Sequence, residues 1–298
     1  MTVAEAPSPV THERDVRERL NVWSSIPFAI VHLIPLAVIW TGVTWRDVVV
    51  CAVLYQTRMF FIAAGYHRYF AHHSYKMNRC WQFVMAFGGT TAAQKGPLWW
   101  AALHRDHHRF ADTPNDIHSP LKGFWWSHVG WILCDKYQAT RFDRIPDFAR
   151  FPELRWLNKQ NWVGPWALGI ATFVLFGARG LVVGFFLSTV LLWHGTFLVN
   201  SLAHVFGRRR YATQDTSRNS LLIALVTGGE GWHNNHHYMP SSTRQGFFWW
   251  EIDLTYYALV ALRAFGVVHD LHRPPPRLLH TNLVRDGSNV EMSRLRSS

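Results

Sequence analysis

The chain has 298 residues, a formal net charge of +11 and three cysteines; 49% of its residues are hydrophobic and 15% aromatic. The cysteines, Cys51, Cys80 and Cys134, lie far apart with no CxxC pair, which argues against a disulfide framework or a thiolate zinc site and fits a reducing compartment. Mean hydropathy is −0.04 because long polar stretches dilute a few apolar runs, so the chain is not a plain stack of membrane helices.

In chain order, residues 1–21 are polar and carry both signs of charge. They lack the apolar core of a signal peptide, and disorder is expected over 1–12. Residues 22–43 and 47–64 are apolar and read as a helical hairpin turning at 44–46. Residues 162–178 and 181–206 read as a second hairpin turning at 179–180. Each run is of the order of the ~20 residues that cross a hydrocarbon core. Arg46 and Arg179 are the only basic residues in the two turns, and nearly all the others lie in the N-terminal segment, in 65–161 and in 207–298. Lysine and arginine mark the cytoplasmic side. The expected fold is therefore an all-α membrane protein, with four transmembrane helices in two hairpins. Residues 22–268 would form the membrane domain, with a helical cytoplasmic cap from 65–161 and 207–268 and a polar tail over 269–298. It would be multi-pass in the inner or plasma membrane, with both termini cytoplasmic. The basic charge is then topological, answered by anionic headgroups, and nucleic acid is not an expected partner.

Nine of the 18 histidines fall into clusters: HRYFAHH (His67, His72), HRDHH (His104, His107, His108), NSLAH (His204) and HNNHH (His233, His236, His237). In both HxxHH boxes the spacing i, i+3, i+4 puts three imidazoles on one helix face. Asn200 and His204 are also four apart. His67 and His72, five apart, fit a regular helix badly and are expected to straddle a helix end. All four clusters lie on the expected cytoplasmic side, where they can converge. Nine imidazoles suit two ions rather than one. No cysteine lies within a cluster, no HExxH is present, and the ExxH pairs of soluble carboxylate di-iron proteins are missing. That leaves a redox-competent, all-nitrogen site, and iron is the natural occupant for activating O2 against an unactivated C–H bond. An enzyme facing lipid would aim that oxidant at an acyl chain.

Several other residues are weighed beside these. His32 and His194 sit within apolar runs and are expected to be satisfied there; His118 and His128 lie between clusters and are candidates to support ligands. Asp116 and Glu230 adjoin the boxes and could orient imidazoles. Trp100, Trp125 and Trp126 are candidates to line an acyl tunnel, as are Trp99 and the Trp249–Trp250 pair, although tryptophan is also a headgroup anchor. Gly228 and Gly229 read as a turn feeding the last box.

Together, HRYFAHHSY, HRDHHRFADTPNDIHSP, FWWSHVGW, VNSLAHVFG and GEGWHNNHHYMP resemble the integral-membrane Δ9 fatty-acid desaturases, the group that includes stearoyl-CoA desaturase and bacterial acyl-lipid desaturases. The resemblance runs from about Val22 to Val268. It implies a cap holding a di-iron centre above a narrow acyl tunnel, and a reaction in which O2 and two electrons give a cis double bond and water. It also implies that His67, His72, His104, His107, His108, His204, His233, His236 and His237 bind iron, and that Asn200 holds one iron through a water. His73 stands where the family usually has arginine, so His72 and His73 compete for one ligand position, with His72 favoured by register. Ala102 and Leu103 replace the Arg-Asp pair that animal acyl-CoA enzymes use on the CoA head, leaving room for a lipid-linked substrate. No cytochrome b5 segment follows the core, so a separate donor, a ferredoxin-type or flavin reductase, is expected. The rival readings are a membrane fatty-acid or alkane hydroxylase and, in a different class, a membrane haem or metal-transport protein.

Overall fold

The structure is a computed structural model in which residues 18–284 are described. The disorder expected over 1–12 and the last part of the polar tail lie outside those residues. The described chain is predominantly helical, with one two-stranded pairing of Lys76–Met77 against Val268–His269.

Helix α1 runs from Val22–Leu33 through a tight turn, Ile34–Ala37, into Val38–Thr41. Helix α2, Trp45–Ala71, starts on a capping box in which Asp47 accepts from the backbone and hydroxyl of Thr44 at 2.8 and 2.7 Å. Helices α3 (Arg79–Thr90) and α4 (Pro97–Phe110) follow, then the short α5 (Phe124–His128) and α6 (Pro152–Lys159). Next come α7 (Val163–Arg179), α8 (residues 180–200) and α9 (Leu202–Val205). Helices α10 (Leu221–Val226), α11 (His233–Tyr238) and α12 (Leu254–Ala264) follow, and a single further turn, Pro146–Ala149, precedes α6.

Two helical runs, Trp45–Ala71 and Val163–Val205, are long and apolar enough to cross a membrane. The second is not one rod. It reverses so that a side chain at Gly169 would face Phe185, and one at Gly184 would face Thr172. Its pivot is Gly177 (φ 66°), and the matching pivot between α1 and α2 is Gly42 (φ 69°). Sequence reading put the turns a few residues later, at the arginines; the positive φ that a side chain resists puts them at the glycines. Helices α1 and α2 are joined through α8, where Ala37, Val38 and Cys51 pack with Val182 and Val183. Around this bundle, Trp23, Ile39, Trp40, Trp45, Val174 and Leu175 are all exposed. Such a belt of large apolar side chains costs free energy in water and little in lipid. Above it sits the main core, built on Tyr66, Phe70, Leu98, Ile145, Leu154 and Leu157, all of them fully buried.

Candidate metal centre

The end of α2 departs from α-helical winding. Over Phe61–Ala71 it opens to a π-helix, and the His72 amide donates to the His67 carbonyl five residues back (3.2 Å). A five-residue period is what brings His67 and His72 to one side, their rings 4.9 Å apart. The pair straddles the helix end as expected, His67 inside the last turns and His72 at the C-cap, and the change of pitch brings the two rings together. His73 leaves the site. It stands at φ 50°, stacks on Phe148 and pairs with Asp147, which Arg105 also grips at 2.8 Å.

Helices α4 and α11 bring in the two HxxHH boxes, α9 brings His204, and the nine imidazoles divide into two groups. His67, His72, His104, His108 and His236 form one; His107, His204, His233 and His237 form the other. The boxes interlock. From HRDHH, the i and i+4 rings enter the first group and the i+3 ring, His107, enters the second. From HNNHH the assignment is reversed, with His236 crossing into the first group. One helical turn can thus serve two centres side by side.

Within each group the Nε2 atoms face one another. In the first, His67–His236 is 3.0 Å, His72–His104 2.9 Å, His104–His108 3.0 Å and His108–His236 2.9 Å. In the second, His204–His233 is 3.1 Å and His107–His237 3.4 Å. Behind the rings stand carboxylates. Nδ1 of His107 meets Asp116 at 3.0 Å, Nδ1 of His237 meets Asp215 at 3.0 Å, and Nδ1 of His204 meets Asp112 at 3.4 Å. His67 pairs in the same way with Glu230. An imidazole that gives its Nδ1 proton to a carboxylate presents a bare lone pair at Nε2. As neutral rings of that tautomer, His107 and His237 point lone pair at lone pair, an arrangement that repels unless a proton or a metal ion lies between them. Imidazole nitrogens at roughly 2.1 Å from a common ion, at right angles to each other, sit about 3 Å apart. The donor set fits two metal ions.

The electrostatics of five of the rings agree. Burial, aided by neighbouring imidazoles, holds His72, His104, His108, His233 and His236 well below the ordinary histidine range, which keeps them in the neutral, ligating form. For His107 burial works in the same direction, but Asp116 outweighs it and the net shift is upward. Burial pushes Glu230 up, yet His67 and Arg68 overcome it and bring the carboxyl to about 2. Arg68, itself fully buried, donates to Glu230 at 2.8 Å and pairs with Asp253 at 2.9 Å. Asp253 also caps α12 through the Tyr256 amide. Gly229 (φ 125°) approaches Asp253 so closely that a Cβ would lie 2.4 Å from its carboxylate, so the turn before HNNHH needs glycine.

A cavity of about 420 Å³ opens beside the groups, lined by His104, His118, Asn200 and Trp100 at one end and by Leu103 and Phe197 along its course. Trp100 stacks on His104 at 5.0 Å. Trp99 also lines the cavity, its indole N–H donating to the Tyr137 carbonyl. Trp125 and Trp126 do not line it: α5 turns Trp125 outward, 72% exposed, and Trp126 packs beside Ile117. Trp249, 82% exposed, and Trp250 are also away from it. His118 lies beside His107 and Asp116, burial bringing it down to about 3. His32, His128 and His194 stand apart from both groups. Asp112 and Asp215 escaped the sequence reading; the only cue was their position in polar loops flanking boxes, shared by many surface aspartates.

The chain matches the fatty acid desaturase family profile over residues 20–272. It belongs to the fatty acid desaturase family. Among its relatives is an sn-2 palmitoyl-lipid 9-desaturase of Nostoc sp. (strain 36), 38% identical over 72% of this chain and 78% of that protein. An sn-1 stearoyl-lipid 9-desaturase of Synechocystis sp. is 37% identical over 83% of this chain and 79% of the relative. An acyl-CoA C20 Delta5-desaturase of Anemone leveillei is 36% identical over 78% and 75%. This desaturase is accordingly an oxidoreductase and a metal-binding protein associated with membranes.

Proposed function

We propose that this desaturase inserts a cis double bond, at Δ9, into a saturated acyl chain carried by a membrane lipid, using two irons and two electrons from a separate ferredoxin-type or flavin donor. Lone pairs meeting at His107 and His237, each backed by a carboxylate, carry the metal part of this reading. His67, His72, His104, His108 and His236 hold one iron. His107, His204, His233 and His237 would hold the other, and Asn200, which lines the adjoining cavity, is the further residue proposed to support it. Bound there, the pair supplies the reductive activation of O2 that an unactivated C–H bond requires. The balance is saturated chain plus O2, two electrons and two protons, giving the alkene and two waters.

The residues around the irons have separate tasks. Glu230, Asp112, Asp116 and Asp215 fix ring tautomers and direct each Nε2 inward. Trp100, Leu103 and Phe197 wall the cavity with apolar surface, keeping water away while the chain lies against the cage. Gln94 donates to Thr196 at 2.9 Å and ties that wall to α8.

In the bilayer, α1, α2, α7 and α8 are the four crossing helices, with the cap, both termini and the irons on the cytoplasmic side. The distribution of arginine and lysine supports this orientation. Support for a lipid-linked substrate comes from the buried, uncharged Ala102 and Leu103, and from the acyl-lipid 9-desaturases among the relatives. Acyl-CoA remains the second carrier to test, because acyl-CoA enzymes are also among the relatives.

Expression in a host of defined fatty-acid composition, followed by gas chromatography of methyl esters and analysis of each lipid pool, should reveal a new cis-monoene in glycerolipid. A hydroxylated product with no alkene would replace this reading with a hydroxylase.

A further inference from the structure

A second cavity, about 590 Å³, meets the one beside the metal groups at Pro27, Val31, Ala93 and Trp193, which line both. From there it runs between α7 and α8, past Pro165, Gly169, Ile170, Phe173, Leu181 and Phe185. No charged side chain lines it, and the hydroxyl of its one threonine, Thr189, is engaged by the Phe185 carbonyl and by Arg58. Its outer wall is open: Trp166, Ile170 and Phe173 are 66, 58 and 50% exposed, on the apolar outer face of α7. In a membrane protein that face meets hydrocarbon. Among the described residues, the passage that begins at His104 and Asn200 therefore opens along its outer side towards the lipid.

We propose that the groove between α7 and α8 receives the methyl-terminal half of the acyl chain and leaves it uncapped. The enzyme then has no chain-length ruler at the methyl end. This rests on the acyl-desaturase reading above. In a closed pocket each surplus methylene must be forced against a wall. In an open groove it extends into the bilayer, an environment as apolar as the groove itself, at almost no free-energy difference. Trp193 is the threshold. Its indole is pinned by a 2.9 Å hydrogen bond to the Ala92 carbonyl and stacked on Phe28 at 5.2 Å, so it walls both cavities without swinging across them.

The test is a series of saturated chains of sixteen, eighteen, twenty and twenty-two carbons on one carrier, supplied to the reconstituted full-length enzyme. All should be desaturated at one carbon numbered from the carboxyl end, with conversion varying by less than about tenfold, whereas a closed apolar pocket discriminates about tenfold or more per methylene. A sharp upper limit would overturn the proposal, and would also be the result if a bilayer lipid permanently filled the groove. A double bond fixed relative to the methyl end would overturn it as well. If no chain yields an alkene, the desaturase reading of this site falls and the inference falls with it. A second arm caps the groove. A Cβ at Gly169 would meet nothing nearer than the Phe185 ring at 3.6 Å, and Gly169 lines the passage, so Gly169→Trp, checked for folding by retained metal content, adds bulk there. The ratio of twenty-two-carbon to sixteen-carbon product should drop by about tenfold or more. An unchanged ratio in a folded variant would place the methyl end elsewhere.

Discussion

Two kinds of histidine cluster lie among the described residues, and they are built on opposite rules. In the metal groups each ring turns Nε2 towards a shared point, and four of the nine have a carboxylate at Nδ1. In the second cluster the rings form a line. His32 Nδ1 lies 2.7 Å from the Phe28 carbonyl and its Nε2 lies 3.1 Å from His194. The other nitrogen of His194 lies 2.9 Å from His128, whose Nδ1 faces the Ser201 hydroxyl at 2.9 Å. One proton per ring satisfies this line in a single direction, ending on the Phe28 carbonyl. No cation is needed, and because His194 spends both nitrogens on other imidazoles, the three rings share no point where an ion could sit. Convergence, and not burial, separates the nine grouped histidines from the line of three: His128 is as buried as the grouped rings.

Substitutions can break that contrast in order of their effect. His104→Ala removes a ring from the first group and should abolish turnover, measured as monoene formed per enzyme. Asp215→Asn leaves all nine ligands in place but loosens His237, and should weaken metal affinity by roughly 10–100-fold in a chelator competition. His73→Ala, at the rival position in the first box, should leave metal content unchanged because that ring belongs to Asp147. His194→Phe should likewise keep its metal. It should lower stability by about 1–3 kcal/mol through the broken hydrogen bonds, read as a fall in Tm; metal loss instead would put the line of three within the metal site.

The smallest effect is expected where the strap of residues 18–21 lies against residues 122–137, Leu20 bridging to Cys134. Burial opposes the charge on Glu18, but Lys122, Tyr137 and Lys136 outweigh it and lower its pKa from 4.5 to about 2. Because the folded value lies below the unfolded one, the strap's contribution is fully present above pH ~4.5 and falls away as pH drops towards 2. Glu18→Gln should flatten that acid-side slope of Tm while costing about 1 kcal/mol or less at neutral pH.

Much of the site could be read from the sequence because helical spacing is a local property: HRDHH and HNNHH had to present three rings on one face each. What could not be read was the division of labour. Which ring of each box crosses to the other group depends on how α4 and α11 face one another, and nothing local encodes that. The π-turn at His67–His72 was also hidden, since no residue type announces it, although the helix end between the two rings was legible from their spacing of five. Asp112 and Asp215 reach their histidines by tertiary approach. Trp125 and Trp126 misled because tryptophan serves a tunnel and a lipid boundary equally well. The helical character and the apolar runs were legible, but their turns fall at Gly42 and Gly177, where backbone sign overrides the charge pattern.

The most direct test of the two-centre account is elemental analysis of the purified protein alongside three variants. It expects two irons per chain without haem absorbance in the unaltered enzyme and in His194→Phe, and about one iron fewer in each of His104→Ala and His204→Ala. A haem spectrum, a chain without iron, or a loss of metal from His194→Phe equal to that from the cage variants would contradict it.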